Sequence, residues 1–163
     1  MKRAYFVSII IAIVGLFFIC RNFLWVEDID GAYLNFFLCG VVGVVVSFAI
    51  LNCTQYYTDY NENPVKHIAK SSKMGHATNI IAGIGVGLES TGLPVLIICF
   101  AVLTSFYLGE SAGLKNVEGE AIGGLYGTAI ATMGMFSTGV FVLGMSGFGP
   151  IADNAGGIVE MSQ

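Results

Sequence analysis

Asp153, Asn154 and Glu160 stand in the run Gly149-Pro150-Ile151-Ala152-Asp153-Asn154-Ala155-Gly156-Gly157-Ile158-Val159-Glu160-Met161, directly after a long apolar segment. Polar groups at the end of a membrane span are costly and tend to be functional. A carboxylate at such a boundary is a hard oxygen ligand, suited to Mg²⁺ and, through it, to phosphate oxygens. Gly149, Gly156 and Gly157 would let other backbone or a ligand approach Asp153. Pro150 is expected to kink or break the helix just before it. The same residues have a structural reading: Asp153 and Asn154 cap a helix that restarts there. Spacing alone leaves both open. Glu160 follows Asp153 by seven residues, which puts both on one helix face; its plainer reading is an exposed carboxylate in water. The chain ends two residues after Met161, which suggests part of a longer protein whose remainder faces this cluster.

Glu89 is a different case. It sits inside an apolar stretch, where a carboxylate is costly and either finds a partner or carries ions. Ser90 and Thr91 could help to satisfy it, and a hydrogen bond to a neighbouring span competes with an ion-pathway role. His67 lies beside Lys66 and Lys70 as a solvated residue, and His76 has no sequence neighbour to work with. The four cysteines, Cys20, Cys39, Cys53 and Cys99, lie in or beside apolar segments without metal-ligand spacing, and read as small hydrophobes. No Ser-His-Asp set, P-loop or dinucleotide turn is present. The Gly83-Ile84-Gly85-Val86-Gly87 pattern falls within a span and reads as packing.

These residues need elements to hold them, and composition says which. The 163 residues are 55% hydrophobic and 11% charged, against about 25% charged in soluble domains. Mean hydropathy is +0.78. Such a chain cannot cover a water-facing surface, so it reads as an all-α integral membrane protein in a lipid bilayer. In a membrane chain the net charge of −4 says little about nucleic acid, but no basic run offers phosphate contacts, so a nucleic-acid partner is not expected. Four stretches are long enough to cross about 30 Å of hydrocarbon: 4–26, 32–57, 78–107 and 122–148, with the last helix able to continue through 149–161. The opening Met1-Lys2-Arg3 mimics a signal peptide, but the long run with Arg21 inside it and no small-residue cleavage site reads as a true span. Arg21 can snorkel to the interface.

Glu27-Asp28-Ile29-Asp30-Gly31 forms a short acidic turn. The 58–75 connection carries Pro64 followed by Val65-Lys66-His67-Ile68-Ala69-Lys70, the pattern of a short interfacial amphipathic helix. Trp25, Tyr56, Tyr57, Tyr60 and Tyr107 sit at span ends like an aromatic belt. Five of the seven basic residues, Lys2, Arg3, Lys66, Lys70 and Lys73, fall on one side, with Arg21 and Lys115 on the other. The charge bias makes that first side cytoplasmic and puts loop 58–75, Asp153, Asn154, Glu160 and the C-terminus there. Gly83/Gly87 and Gly123/Gly127 are spaced for close helix contact. The bulkier first two spans are expected to face lipid, and the glycine-rich last two to pack inward, with faces that this chain alone covers poorly.

The closing run resembles the G-P-I-x-D-N-A-G-G-I-A-E-M signature of membrane-bound, ion-pumping pyrophosphatases. Tyr56-Tyr57-Thr58, Pro64-Val65, Ala77-Thr78-Asn79-Ile80-Ile81, Glu89-Ser90-Thr91-Gly92-Leu93-Pro94 and Leu125-Tyr126-Gly127 match in the family's order. The resemblance covers nearly all of the chain. It implies a homodimer with about sixteen transmembrane helices in two concentric rings, of which this chain would be the middle quarter: three outer helices and one inner. It implies that cytoplasmic pyrophosphate, held by Mg²⁺, is hydrolysed to drive H⁺ or Na⁺ across a prokaryotic cell membrane. Asp153 would be one of several carboxylates forming that site, with Asn154 beside it. The catalytic groups, the pyrophosphate lysines and the ion-gate carboxylate would lie on other helices. This piece alone would then be inactive. Glu89-Ser90-Thr91-Gly92-Leu93-Pro94 looks more like the K⁺-stimulated branch, which makes K⁺ an expected activator. Two departures stand out: Ser146-Gly147-Phe148 replaces an Asp-x-Tyr, and Gln55 replaces a Glu. The rival reading is a small non-enzymatic four-span membrane carrier or packing subunit.

Overall fold

A membrane-crossing backbone has no water to bond with, so each span must satisfy its own amides, which makes it a helix. The Val41–Val46 run shows how strongly this acts. It is rich in β-branched residues with strand propensity, yet it lies in the middle of a continuous helix. The computed structural model describes residues 2–24, 29 and 31–162. Met1, Trp25, Val26, Glu27, Asp28, Asp30 and Gln163 lie outside it, as do the expected acidic turn and the belt position of Trp25.

The helices are α1 (Lys2–Phe23), α2 (Ala32–Thr58), α3 (Asn63–Ser71), α4 (His76–Glu110), α5 (Gly123–Phe136) and α6 (Gly139–Met161). Among the described residues four apolar stretches, with α5 and α6 counted as one, are long enough to cross a membrane. Pro64 stands in the first turn of α3, where its missing N–H costs nothing. A 3₁₀ turn over Ser72–Met74 and Gly75, at φ 122°, then reverse the chain into α4. In the α4–α5 connection Lys115 and Ala121 form an isolated antiparallel bridge.

The core sits around α2, which packs against α1, α3, α4 and α5. Phe36, Cys39 and Val44 of α2 are fully buried, along with Cys20, Ser105 and Thr138. The Phe36 and Tyr126 rings meet edge-on at 5.2 Å, and the Cys39 thiol donates to the Ser105 carbonyl at 3.4 Å. Contact is closest at glycines. A Cβ on Gly43 would stand 1.9 Å from the Ala131 carbonyl oxygen, and one on Gly109 would stand 2.2 Å from that of Gly123. Bare backbone lets these helices approach, and in lipid such van der Waals contact is a main source of association.

The expectation that the first two spans face lipid does not hold for the second within this chain. The second span, not the last two, is the most enclosed, because Gly40 and Gly43 give it a flat side against α5. The Gly123/Gly127 pair is engaged with Gly109, whereas Gly83 and Gly87 have nothing within 4 Å. α6 has no buried residue. The glycine faces of α6 and of the first half of α4 are therefore open within this chain.

Candidate functional site

α6 carries the closing motif as one helix from Gly139 to Met161, with Pro150 in its interior. Two sequence expectations change here. Pro150 does not break the helix, because a membrane helix tolerates the loss of one backbone bond when its neighbours in the ladder persist. Asp153 and Asn154 are interior residues, with the N-terminal boundary at Thr138, so neither caps a restarting helix.

The surroundings of Asp153 follow from helical spacing. Positions one turn before and after it are Gly149, Gly156 and Gly157. None of these has any heavy atom within 4 Å of where a Cβ would stand. The carboxylate therefore rises from a smooth strip of backbone that ends at Glu160, and both acids are exposed. A polyanion carrying its own metal ions could come close to such a strip without meeting side chains. Asn154 is the next residue round the helix and is exposed as well.

Depth can be read from the packing register. α2 and the α5–α6 stretch run parallel, with Phe36 against Tyr126 and Ser47 bonded to Thr138. α6 leaves the joint beside the second half of α2, where Phe141 and Met145 line one groove with Leu51 and Thr58, and so leads towards the α3 end of the molecule. α2 and α4 run antiparallel, with Cys39 against Ser105. The same register brings Glu89 level with Tyr57, and the Tyr57 hydroxyl lies near enough to the Glu89 carboxylate for the two groups to interact electrostatically. Tyr57 was legible in sequence as a belt residue and as part of the Tyr56-Tyr57-Thr58 match, not as a partner of Glu89. Its pairing required the hairpin between α2 and α4.

Other residues are not gathered into this region. Among the described residues no three His, Cys, Asp or Glu side chains lie close enough together to hold a metal ion. Asp153 is a lone exposed carboxylate, an oxygen donor of the kind that Mg²⁺ takes one or two of when phosphate oxygens supply further ligands. His67 and His76 are exposed. Cys20, Cys39 and Cys53 are buried and Cys99 is exposed. Gln55, the departure near Tyr56, donates to Asp59 at 3.5 Å, and Asp59 also accepts the Asn61 N–H at 2.9 Å. A carboxylate therefore stands one turn beyond Gln55.

The family model described as inorganic H⁺ pyrophosphatase matches residues 1–163. The chain is 50% identical over 163 residues, its whole length, to the pyrophosphate-energized membrane proton pump 3 of Arabidopsis thaliana, of which it covers 20%. It is 49% identical over 162 residues to the K(+)-insensitive pyrophosphate-energized proton pump 2 of Moorella thermoacetica, covering 23% of that protein. It is 46% identical over 165 residues to the K(+)-insensitive pyrophosphate-energized proton pump of Caldanaerobacter subterraneus, again covering 23%. The chain spans about a fifth of the length of these relatives. No solved structure matches it. Two of the relatives are named K(+)-insensitive, so the expected lean towards K⁺ activation has no support.

Proposed function

The chain belongs to the inorganic H⁺ pyrophosphatase family, and from that premise we propose that, within its whole protein, it forms one wall of a Mg²⁺–pyrophosphate site whose hydrolysis drives H⁺ across the membrane. The observation that carries this is the position of Asp153: a carboxylate on a bare glycine strip, at the α3 end of a helix that fills the second half of a broken span. The excess of basic residues at that end supports a cytoplasmic location for it.

In this reading Asp153 holds Mg²⁺, with Asn154 beside it, and Gly149, Gly156 and Gly157 admit the substrate. Bound Mg²⁺ would neutralise and orient the phosphate oxygens. Asp153 fixes the position of that charge, and Glu160 extends the negative strip. The groups that attack phosphorus are proposed to lie on other helices. Glu89 is assigned to the interhelical contact with Tyr57 rather than to the ion path. The relatives' names support H⁺ over Na⁺ as the pumped ion, and the family resemblance supports a homodimer. The rival, a small non-enzymatic carrier or packing subunit, does not account for a family match over all 163 residues.

The test is Asp153→Asn in the whole protein, reconstituted in vesicles. Mg²⁺-dependent pyrophosphate hydrolysis and vesicle acidification should fall together by on the order of a hundredfold. Hydrolysis at the native rate by a folded variant would sink the proposal.

A further inference from the structure

The span that carries Asp153 is broken, and the break is tied down by hydroxyl groups. α5 ends at Phe136 and α6 begins at Gly139. Between them Thr138 is 1% exposed. Its Oγ1 meets Ser47 Oγ of α2 at 2.5 Å. Ser47 Oγ in turn meets the hydroxyl of Tyr5 of α1 at 3.4 Å, and Tyr5 is also buried. Thr138 donates to the Met135 carbonyl at 3.2 Å. Each hydroxyl has one proton, so the direction of the chain is fixed. Thr138 donates to Met135, Ser47 donates to Thr138, and Tyr5 donates to Ser47. Met135 is the carbonyl that the Gly139 N–H would reach in an unbroken helix. The side chain of Thr138 thus fills a backbone position that the break leaves open.

On either side of this joint the packing differs sharply. α5 is seated on α2 by close contacts of Gly43 with Ala131 and Met135, and of Gly134 with Gly40. α6 beyond the joint has a single aromatic contact, Phe141 with Tyr5 at 5.4 Å. A cavity of about 550 Å³, lined in part by Phe48, Leu51, Phe141 and Met145, separates the start of α6 from α2. Among the described residues no hydrogen bond other than that of Thr138 to Ser47 ties the start of α6 to α1, α2 or α4.

We propose that Tyr5, Ser47 and Thr138 form a hydroxyl latch that sets the angle of α6, and that they are positioning residues for Asp153. The proposal rests on the reading of Asp153 given above for its functional consequence, but not for its mechanics. Thr138 and Asp153 are 15 residues apart, so the lever is about 22 Å long and a tilt of about 5° moves the carboxylate by about 2 Å. Displacements of this size are large for a ligating group, since about 1 Å can cost a hundredfold in rate. In an apolar surround an unpaired hydroxyl is costly, so loss of one member favours a rearranged joint.

The experiment uses the whole protein with Cys99→Ala, and spin labels on Lys70→Cys in α3 and Met161→Cys in α6. Thr138→Val keeps the shape of the side chain and removes its hydroxyl; Ser47→Ala cuts the same bond from α2; Thr138→Ser keeps the hydroxyl. The expected result is a label distance shifted or broadened by about 3 Å in Thr138→Val and Ser47→Ala, from the same lever, and a native distance in Thr138→Ser. With the shift, the KM for Mg²⁺–pyrophosphate should rise about tenfold, and Thr138→Ser should restore it. An unchanged label distance in both Thr138→Val and Ser47→Ala overturns the latch, whatever happens to activity. A shifted distance with native KM upholds the latch and overturns instead the assignment of Asp153 to the substrate site.

Discussion

The hydroxyl of Tyr57, in the last turn of α2, lies beside the carboxylate of Glu89 in α4. The pair closes the hairpin between the two helices at its α3 end, as Cys39 and Ser105 close it further along. A carboxylate within an apolar helix therefore has a named partner, and its presence does not require an ion path.

Replacement of either member tests this. Tyr57→Phe removes the hydroxyl that faces Glu89 and should lower the thermal midpoint of the whole protein. Glu89→Gln keeps an acceptor oxygen and should lower it less. The double variant should resemble Tyr57→Phe alone, since contacting residues are not additive. The number of H⁺ moved per pyrophosphate should be unchanged in Glu89→Gln vesicles; a drop would place Glu89 on the ion path.

The flat contact between α2 and α5 predicts a sharp contrast between glycines. Gly43→Ala puts a methyl group against the Ala131 backbone, where nothing flexible can give way. It should destabilise the protein by about 1–3 kcal/mol. Gly15→Ala in α1 meets nothing within 4 Å. It should be neutral or stabilising by up to about 1 kcal/mol, since Ala is the better helix former. Thermal unfolding in detergent compares the two, and equal losses would contradict the packing described.

Much of this was legible in the residues. The four long apolar helices follow from run length, and Asp153 stands out because polar groups are rare at such a place. Pro150 misled because its effect depends on the neighbouring ladder, which a sequence does not display. The break at Ser137–Thr138 was hidden for the opposite reason. No proline marks it, and its one trace is Ser-Thr-Gly within an apolar run. Gly40 and Gly43 were obscured by the valines around them, so the enclosed position of α2 was missed. The pairings of Tyr57 with Glu89 and of Ser47 with Thr138 join residues far apart in the chain. Only the helix register brings them together.

The chain by itself should not hydrolyse pyrophosphate. In the proposed site Asp153 would be one ligand of several, and no group of three acidic, His or Cys side chains gathers among the described residues. The purified 163-residue chain in lipid, given Mg²⁺ and pyrophosphate, should release phosphate at the rate of empty vesicles. Mg²⁺-dependent release above that background would mean that a full site exists within these helices.

The sidedness on which the Asp153 assignment depends can be measured directly. Lys70 in α3 and Val117 in the α4–α5 connection are both exposed, the latter fully. They lie at opposite ends of α4. Basic residues collect at the α3 end, so the charge bias makes that end cytoplasmic. With Cys99→Ala as background, Lys70→Cys should react with a membrane-impermeant thiol reagent in inside-out vesicles and be protected in intact cells. Val117→Cys should show the reverse. Cys20, Cys39 and Cys53 are buried and should stay silent in both. The opposite labelling pattern would put Asp153 on the far side of the membrane from cytoplasmic pyrophosphate. No local geometry around the glycine strip could then rescue its role as a ligand.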